Sequence, residues 1–132
     1  MTEPLLDRLP YARFLDLRTL VSGDEITVTM PFRDQLIGNP MIPALHGGST
    51  AALLEMTAIA QVALAFPAAR LPRPINVTVA YLRTGRPQDV FARARISRAG
   101  RRVAHVLAEA WQEERGQPIA SLTAHFLLAE DS

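Results

Sequence analysis

The sequence contains no cysteine and no lysine, and all fourteen of its basic residues are arginine. The absence of cysteine excludes a disulfide scaffold, a thiol nucleophile and a zinc site of the cysteine type. The absence of lysine excludes Schiff-base chemistry on a side-chain amine. The formal net charge is only +1, so no strong overall field favours nucleic acid as a partner. Two common covalent nucleophiles, the cysteine thiolate and the lysine amine, are therefore absent.

We expect no segment that directs the chain to a membrane or out of the cell. The N-terminus has no basic region followed by a long apolar run, as a signal peptide would. The longest apolar stretch, 51–66, has sixteen residues, whereas about twenty are needed to span a bilayer. A soluble, cytoplasmic protein with no membrane partner is expected. The length fits a single domain, residues 1–132.

Alternating apolar and polar residues predict about six strands. Two are expected at 14–20 and 25–32, before an irregular loop at 33–45 that is rich in glycine and proline. The last four strands have turns at hairpin spacing and are expected to form an antiparallel meander. These four strands span residues 75–81, 90–97, 103–111 and 119–128.

A single long helix is expected over the apolar run 51–66, which opens after two glycines and ends before Pro67. Thirteen of its sixteen residues are apolar, so the helix must be covered nearly all round. These elements predict an α+β fold in which a curved antiparallel sheet wraps around one central helix. Pairing with a second copy would cover the sheet edges, so we expect at least a homodimer. A tetramer built as a dimer of dimers stays open.

Glu55 is the most informative residue of the helix, because a carboxylate there is costly to bury unless it is paired, neutral or facing a cleft. One interpretation makes Glu55 a catalytic acid. The other makes it a structural residue at a dimer seam, hydrogen-bonded to backbone or to arginine.

Gly47 and Gly48 at the helix start form a candidate oxyanion site. Glycines allow close approach, and unpaired N–H groups at a helix N-terminus favour developing negative charge. The same glycines are equally consistent with a simple turn into the helix. Gly47 and Glu55 lie about 12 Å apart along one helix, whereas a base and an oxyanion donor must each approach the reacting group to about 3 Å. Two antiparallel helices across a two-fold axis would bring together Gly47 of one subunit and Glu55 of the other.

Arginine is concentrated between Arg83 and Arg102, where seven of the fourteen lie with one acid, Asp89. Arginine forks match phosphate groups, such as those of coenzyme A. A solvated outer strand face explains the same pattern. The run contains no interleaved exposed aromatics, which disfavours nucleic acid.

Three features around the helix start carry a family resemblance: the block Leu36-Ile37-Gly38-Asn39-Pro40, the block Ala44-Leu45-His46-Gly47-Gly48, and Glu55 nine residues after the histidine. They resemble the hotdog-fold acyl-CoA thioesterases. The group most similar is the phenylacetic-acid-degradation thioesterase type, together with 4-hydroxybenzoyl-CoA thioesterases that carry glutamate at this helix position. The similarity continues to about residue 128 through three later blocks: 77–83, 100–102 and 124–127.

The resemblance implies that this chain hydrolyses an acyl-CoA thioester without a metal or redox cofactor. It implies that Glu55 acts as general base or nucleophile and that the Gly47 N–H polarises the carbonyl. It also implies that Asn39 places the water or substrate, and that His46 contacts substrate or shapes the loop. Further contacts to the acyl-CoA are expected from Gly48, Tyr81, Arg83, Arg101 and Arg102.

The chain departs from the family pattern before the strand that follows the helix, where Pro74-Ile75-Asn76 replaces a Ser/Thr-x-Asp sequence. Two rival functions stay open. A hotdog dehydratase or hydratase would need an upstream histidine, but the corresponding positions hold Asn39 and Met41. A non-catalytic acyl-CoA-binding dimer would gain little from Glu55. The sequence does not choose among aryl, short and medium acyl groups.

Overall fold

The computed structural model describes residue 6 and residues 9–66 and 72–128. Within them, one long helix lies against a six-stranded antiparallel sheet, and a two-stranded ladder precedes the helix. The elements follow the order α1 (Pro10–Phe14), β1 (Arg18–Ser22), β2 (Glu25–Met30), a 3₁₀ helix (Asp34–Leu36), β3 (Ile37–Asn39), β4 (Ala44–Leu45), α2 (Gly47–Ala65), β5 (Arg73–Tyr81), β6 (Val90–Ala99), β7 (Val103–Trp111) and β8 (Ala120–Leu127).

The six strands lie in the order β1-β2-β6-β7-β8-β5, and every neighbouring pair is antiparallel. The predicted meander is confirmed for β6, β7 and β8 but is wrong for β5, which pairs with β8 at the far edge. The segment 82–89 between β5 and β6 is too long for a tight hairpin, and it carries the chain across to β2 instead. Pro74 is tolerated in β5 because this is an edge strand.

Two further expectations need correction before the helix. Phe14, expected to begin the first strand, belongs to α1, and β1 begins at Arg18. The segment 33–45, expected to be wholly irregular, contains the 3₁₀ helix and the β3–β4 ladder, in which Ile37 pairs with Leu45 and Asn39 with Ala44. Strands of three and two residues are too short for an alternating pattern to reveal them.

Helix α2 begins at Gly47, four residues before the expected start, and has 19 residues. Among the described residues, it is one helix that is long and apolar enough, by length and composition, to cross a membrane. However, 56% of that stretch is buried inside the protein. A core helix satisfies the same criteria, and α2 packs on β2, β6, β7 and β8.

The core lies between α2 and the inward side chains of the sheet. Leu53, Leu54, Ala58 and Val62 are fully buried against apolar residues of the strands. Gln61 is also buried, and its side chain is fully used. It accepts a hydrogen bond from the Ile26 N–H at 3.2 Å and donates one to the Asp24 carbonyl at 2.8 Å, which ties the helix to the β1–β2 turn.

The sheet covers one side of α2, so the expectation of a helix covered nearly all round is not met within one chain. Residues at helical spacing remain partly or fully exposed along one stripe, here called the bare stripe: Gly48, Ala51, Ala52, Glu55, Met56, Ala63 and Leu64. The outer edge of β5 is likewise unpaired among the described residues.

Candidate active site

His46 caps the start of α2 and accepts hydrogen bonds from two of the first-turn N–H groups. Its Nδ1 accepts a hydrogen bond from the Gly48 N–H at 3.0 Å, and its carbonyl oxygen accepts one from the Ser49 N–H at 3.1 Å. The His46 N–H itself donates to the Leu36 carbonyl at 2.7 Å. The Gly47 N–H makes no hydrogen bond with any described residue. This amide is therefore free to receive a ligand oxygen at the positive end of the helix.

Tyr81, at the end of β5, holds the other side of Gly47. Its hydroxyl donates to the Gly47 carbonyl at 3.0 Å, and a Cβ at position 47 would lie 3.2 Å from its Cε1 atom. The close approach explains glycine at this position. The family resemblance implies a substrate contact for Tyr81, whereas in the structure its hydroxyl is hydrogen-bonded to the first residue of the helix.

Gly38 brings β3 against the histidine. A Cβ at position 38 would lie 2.9 Å from the His46 Cα atom, so a larger residue would push the two segments apart. This contact was not predicted from the sequence. Glycine in a short strand, outside any turn, is the signal that indicates a close approach of another segment.

Asn39 is the last residue of β3 and pairs with Ala44 of β4, shortly before the helix start. Its Oδ1 accepts a hydrogen bond from the Met41 N–H at 3.0 Å, an interaction that shapes the following turn. Two side chains of this turn, Met41 and Ile42, are 89% and 62% exposed. Within one chain, the Asn39 side chain therefore stabilises the turn that follows it.

Glu55 lies on the bare stripe, about two turns along α2 from Gly47. Its carboxylate makes no hydrogen bond or ion pair with a described residue. No single chain therefore brings Glu55 to the Gly47 N–H, as the spacing predicted.

The arginines do not form one patch. Arg83 donates to the Pro118 carbonyl at 2.6 Å, and with Arg86 it lines a cleft of about 300 Å³. Arg101 and Arg102 lie in the β6–β7 turn at the opposite end of a ten-residue strand, which spans about 33 Å. Arg93 is paired with Glu25 at 3.1 Å, on the sheet face away from α2. The separation is not apparent from the sequence. Residues at the two ends of one strand are close in sequence but lie at opposite ends of the sheet.

The donor set at this site is suited to acyl transfer. It offers one free amide, one histidine cap and one carboxylate without a partner. Among residues 6, 9–66 and 72–128, no group of three or more His, Asp or Glu side chains could hold a metal ion.

Comparison with known proteins decides the family. A family model described as an acyl-CoA thioesterase N-terminal domain matches residues 38–127, which include Gly38, His46, Gly47, Glu55 and Tyr81. The chain belongs to the acyl-CoA thioesterase family. The predicted enzyme class, an acyl-CoA thioesterase, is thereby confirmed. No curated protein sequence matches this thioesterase significantly.

Solved structures confirm the hotdog fold of the thioesterase. A protein of the thioesterase superfamily is 28% identical with a TM-score of 0.87, covering 96% of this chain and 94% of that chain. A phenylacetic acid degradation-related protein from Ralstonia eutropha JMP134 is 21% identical with a TM-score of 0.81, covering 96% and 98%. A Bacillus halodurans protein solved with CoA is 21% identical with a TM-score of 0.80, covering 92% and 80%. At 21% identity, the last two establish the fold alone.

Proposed function

We propose that two copies of the chain form two composite sites, each of which hydrolyses an acyl-CoA thioester to a free acid and coenzyme A. The observation that carries the proposal is the free Gly47 N–H in the same helix as Glu55, a carboxylate without a described partner. One helix holds them about 12 Å apart, so each would serve a different site.

Two of the surfaces that one chain leaves uncovered support a homodimer. The bare stripe of α2 and the free edge of β5 are both available for pairing. Ile75, Tyr81 and Leu82, on or next to β5, are 54%, 58% and 51% exposed. An unpaired apolar edge strand is a template for another chain. Joining two copies at β5 would extend the sheet and set the two α2 helices antiparallel.

In the proposed reaction, the Gly47 N–H donates a hydrogen bond to the thioester oxygen. The Glu55 carboxylate of the second copy takes a proton from water, and the resulting hydroxide adds to the carbonyl carbon. The tetrahedral oxyanion is stabilised by the helix N-terminus, then collapses and breaks the carbon–sulfur bond. The departing thiolate takes up the proton, so acid and thiol are formed without an oxidant or a metal. Direct attack by Glu55 on the carbonyl is the alternative course.

Acyl-CoA as the substrate is supported by the CoA bound in the Bacillus halodurans protein of the same fold. Arg83 and Arg86 flank Gly85, whose carbonyl accepts a hydrogen bond from the Leu45 N–H two residues before the helix. Guanidinium groups at this position would suit phosphates, although Arg86 is also paired with Glu113 at 3.4 Å. A two-fold axis through β5 would carry Arg101 and Arg102 of the second copy toward the same end. Arg83→Ala and the Arg101→Ala, Arg102→Ala double variant should raise KM for acyl-CoA more than for an acyl-pantetheine. Equal effects on both esters would remove these arginines from the phosphate site.

The reaction is tested by free-thiol release from a panel of aryl, short-chain and medium-chain acyl-CoAs. Wild type should release thiol, and Glu55→Gln should lower kcat by a factor on the order of 10² or more, since a positioned base contributes about 10²–10⁴. Glu109→Gln is the matched control, because Glu109 is an exposed glutamate on β7 and lies outside the cleft lined by Arg83 and Arg86. Near wild-type turnover by Glu55→Gln would contradict the assignment. Tight acyl-CoA binding without thiol release would favour the non-catalytic dimer.

A further inference from the structure

The hydrogen bond between His46 and Gly48 determines which ring nitrogen carries the proton. A backbone N–H can only donate, so the Nδ1 atom that receives the Gly48 N–H at 3.0 Å must present a lone pair. A neutral imidazole with a free lone pair on Nδ1 carries its hydrogen on Nε2. His46 is exposed, so this Nε2–H is available to a ligand.

Tyr81 acts on the same peptide unit from its other side. The Gly47 carbonyl and the Gly48 N–H belong to one planar peptide group. The carbonyl accepts from the Tyr81 hydroxyl at 3.0 Å, while the N–H donates to His46 Nδ1 at 3.0 Å. Three donors are thus linked in one chain of groups: the phenol O–H comes first, the amide N–H second and the imidazole Nε2–H third. Hydrogen bonds linked in this way polarise one another.

We propose that His46 donates a hydrogen bond from Nε2–H to the bound thioester, and that Tyr81 is a positioning residue that holds His46 in this tautomer through the Gly47–Gly48 peptide. The inference rests on the proposed hydrolysis at this site. It gives His46 the role of a donor to developing negative charge. It excludes His46 as the general base in this arrangement, because one ring nitrogen is occupied by the cap and the other carries hydrogen. The base is then left to Glu55.

The donor role is separated from the capping role by His46→Asn. Asparagine is a good N-cap residue, so this variant keeps an acceptor for the first-turn amide but has no imidazole donor. We expect an unchanged melting temperature within about 2 °C and a fall in kcat on the order of tenfold or more, by analogy with the loss of other oxyanion donors. Wild-type kcat in a folded His46→Asn would show that the histidine is a cap only and would overturn the proposal.

The positioning role is tested by Tyr81→Phe, which keeps the ring against Gly47 and removes the hydroxyl. One neutral hydrogen bond corresponds to a loss of about three- to tenfold, and it should fall on kcat with KM changed less than about twofold. Tyr11→Phe is the matched control, since Tyr11 is the other tyrosine and lies in α1. An unchanged kcat, or a loss that falls on KM alone, would contradict positioning and return Tyr81 to a substrate contact.

The tautomer is read directly from nitrogen NMR of the His46 ring, without substrate. Wild type should show a protonated Nε2 and an unprotonated Nδ1, and Tyr81→Phe should show a measurable shift toward a mixture of tautomers. A wild-type ring with hydrogen on Nδ1 would overturn the inference whatever the activity. If no acyl-CoA is hydrolysed, the proposed function fails and with it the donor role, whereas the spectrum still decides the coupling of Tyr81 to His46.

Discussion

The Tyr81 hydroxyl donates to the carbonyl oxygen of Gly47 at 3.0 Å, while the same tyrosine ring would lie only 3.2 Å from a Cβ on that glycine. Strand β5 thereby fixes the first residue of α2. His46 accepts the Gly48 and Ser49 N–H groups, which leaves the Gly47 N–H, beside the proposed His46 Nε2–H donor, to be presented to a ligand.

A comparison of Gly47→Pro with Gly47→Ala distinguishes the loss of the amide N–H from the effect of an added Cβ. Both residues add a Cβ near Tyr81, but only proline removes the N–H. Proline suits the first helical position, and His46 has the extended backbone (ψ 124°) that precedes proline. We expect Gly47→Pro to lower kcat about 10²–10³-fold relative to Gly47→Ala. Equal kcat values for the two variants, measured by thiol release, would remove the amide from the reaction.

Mixing two inactive variants tests whether sites are shared. In a dimer of one Glu55→Gln chain and one Gly47→Pro chain, one site would have both intact groups and the other would have neither. Random mixing after denaturation and refolding should restore about a quarter of the wild-type activity per chain, as two-fold symmetry requires. Each variant refolded alone is the control. No recovery, with mixed dimers demonstrated by mass, would place both groups in one chain.

A charge on the free edge of β5 should prevent pairing. Ile75 is 54% exposed on this edge, and Ile75→Glu would place an unpaired carboxylate in an interface, which is costly. We expect a monomer by light scattering and at least a tenfold loss of thioesterase activity. Leu20→Glu is the matched control, because Leu20 is 68% exposed on the opposite edge strand β1. Activity in a monomeric Ile75→Glu would contradict the composite site.

Gln61 should contribute to stability independently of catalysis. Gln61→Met keeps the shape of the side chain but leaves the buried Ile26 N–H without its partner, at a cost of about 1–3 kcal/mol. Chemical denaturation should show this loss in the free energy of unfolding. Gln117→Met, at an exposed glutamine, should change it by less than about 0.5 kcal/mol. A stability equal to wild type in Gln61→Met would mean that the helix-to-turn bonds are not required.

The sequence was sufficient for features that repeat. Alternation over 103–111 predicted β7 with its bounds, and the apolar run predicted α2 and the covering sheet. It was insufficient for features that depend on distant partners. The place of β5 beside β8 is set by a long connection, and the contact of Tyr81 with Gly47 joins residues 34 positions apart. Neither leaves a local pattern.

The arginines illustrate the same limit in another way. Seven of them fall within twenty residues of sequence, yet β6 separates Arg83 and Arg86 from Arg101 and Arg102 by the length of the sheet. The arginines that are clustered in the sequence therefore lie on three separate surfaces of the fold. Only a second copy, reversed by a two-fold axis, would bring the two ends together again.

If the proposed dimer forms over the bare stripe of α2, turnover will depend on the concentration of the protein. A single chain would contribute its Gly47 N–H to one site and its Glu55 carboxylate to the other. Neither site would be complete without a second copy. Rate per milligram should then decline once the protein is diluted below the dissociation constant of its dimer, and a lag should follow when dilute chains are concentrated again. For such an enzyme, the cell's supply of chains would set not only how much catalyst is present but whether it is a catalyst at all.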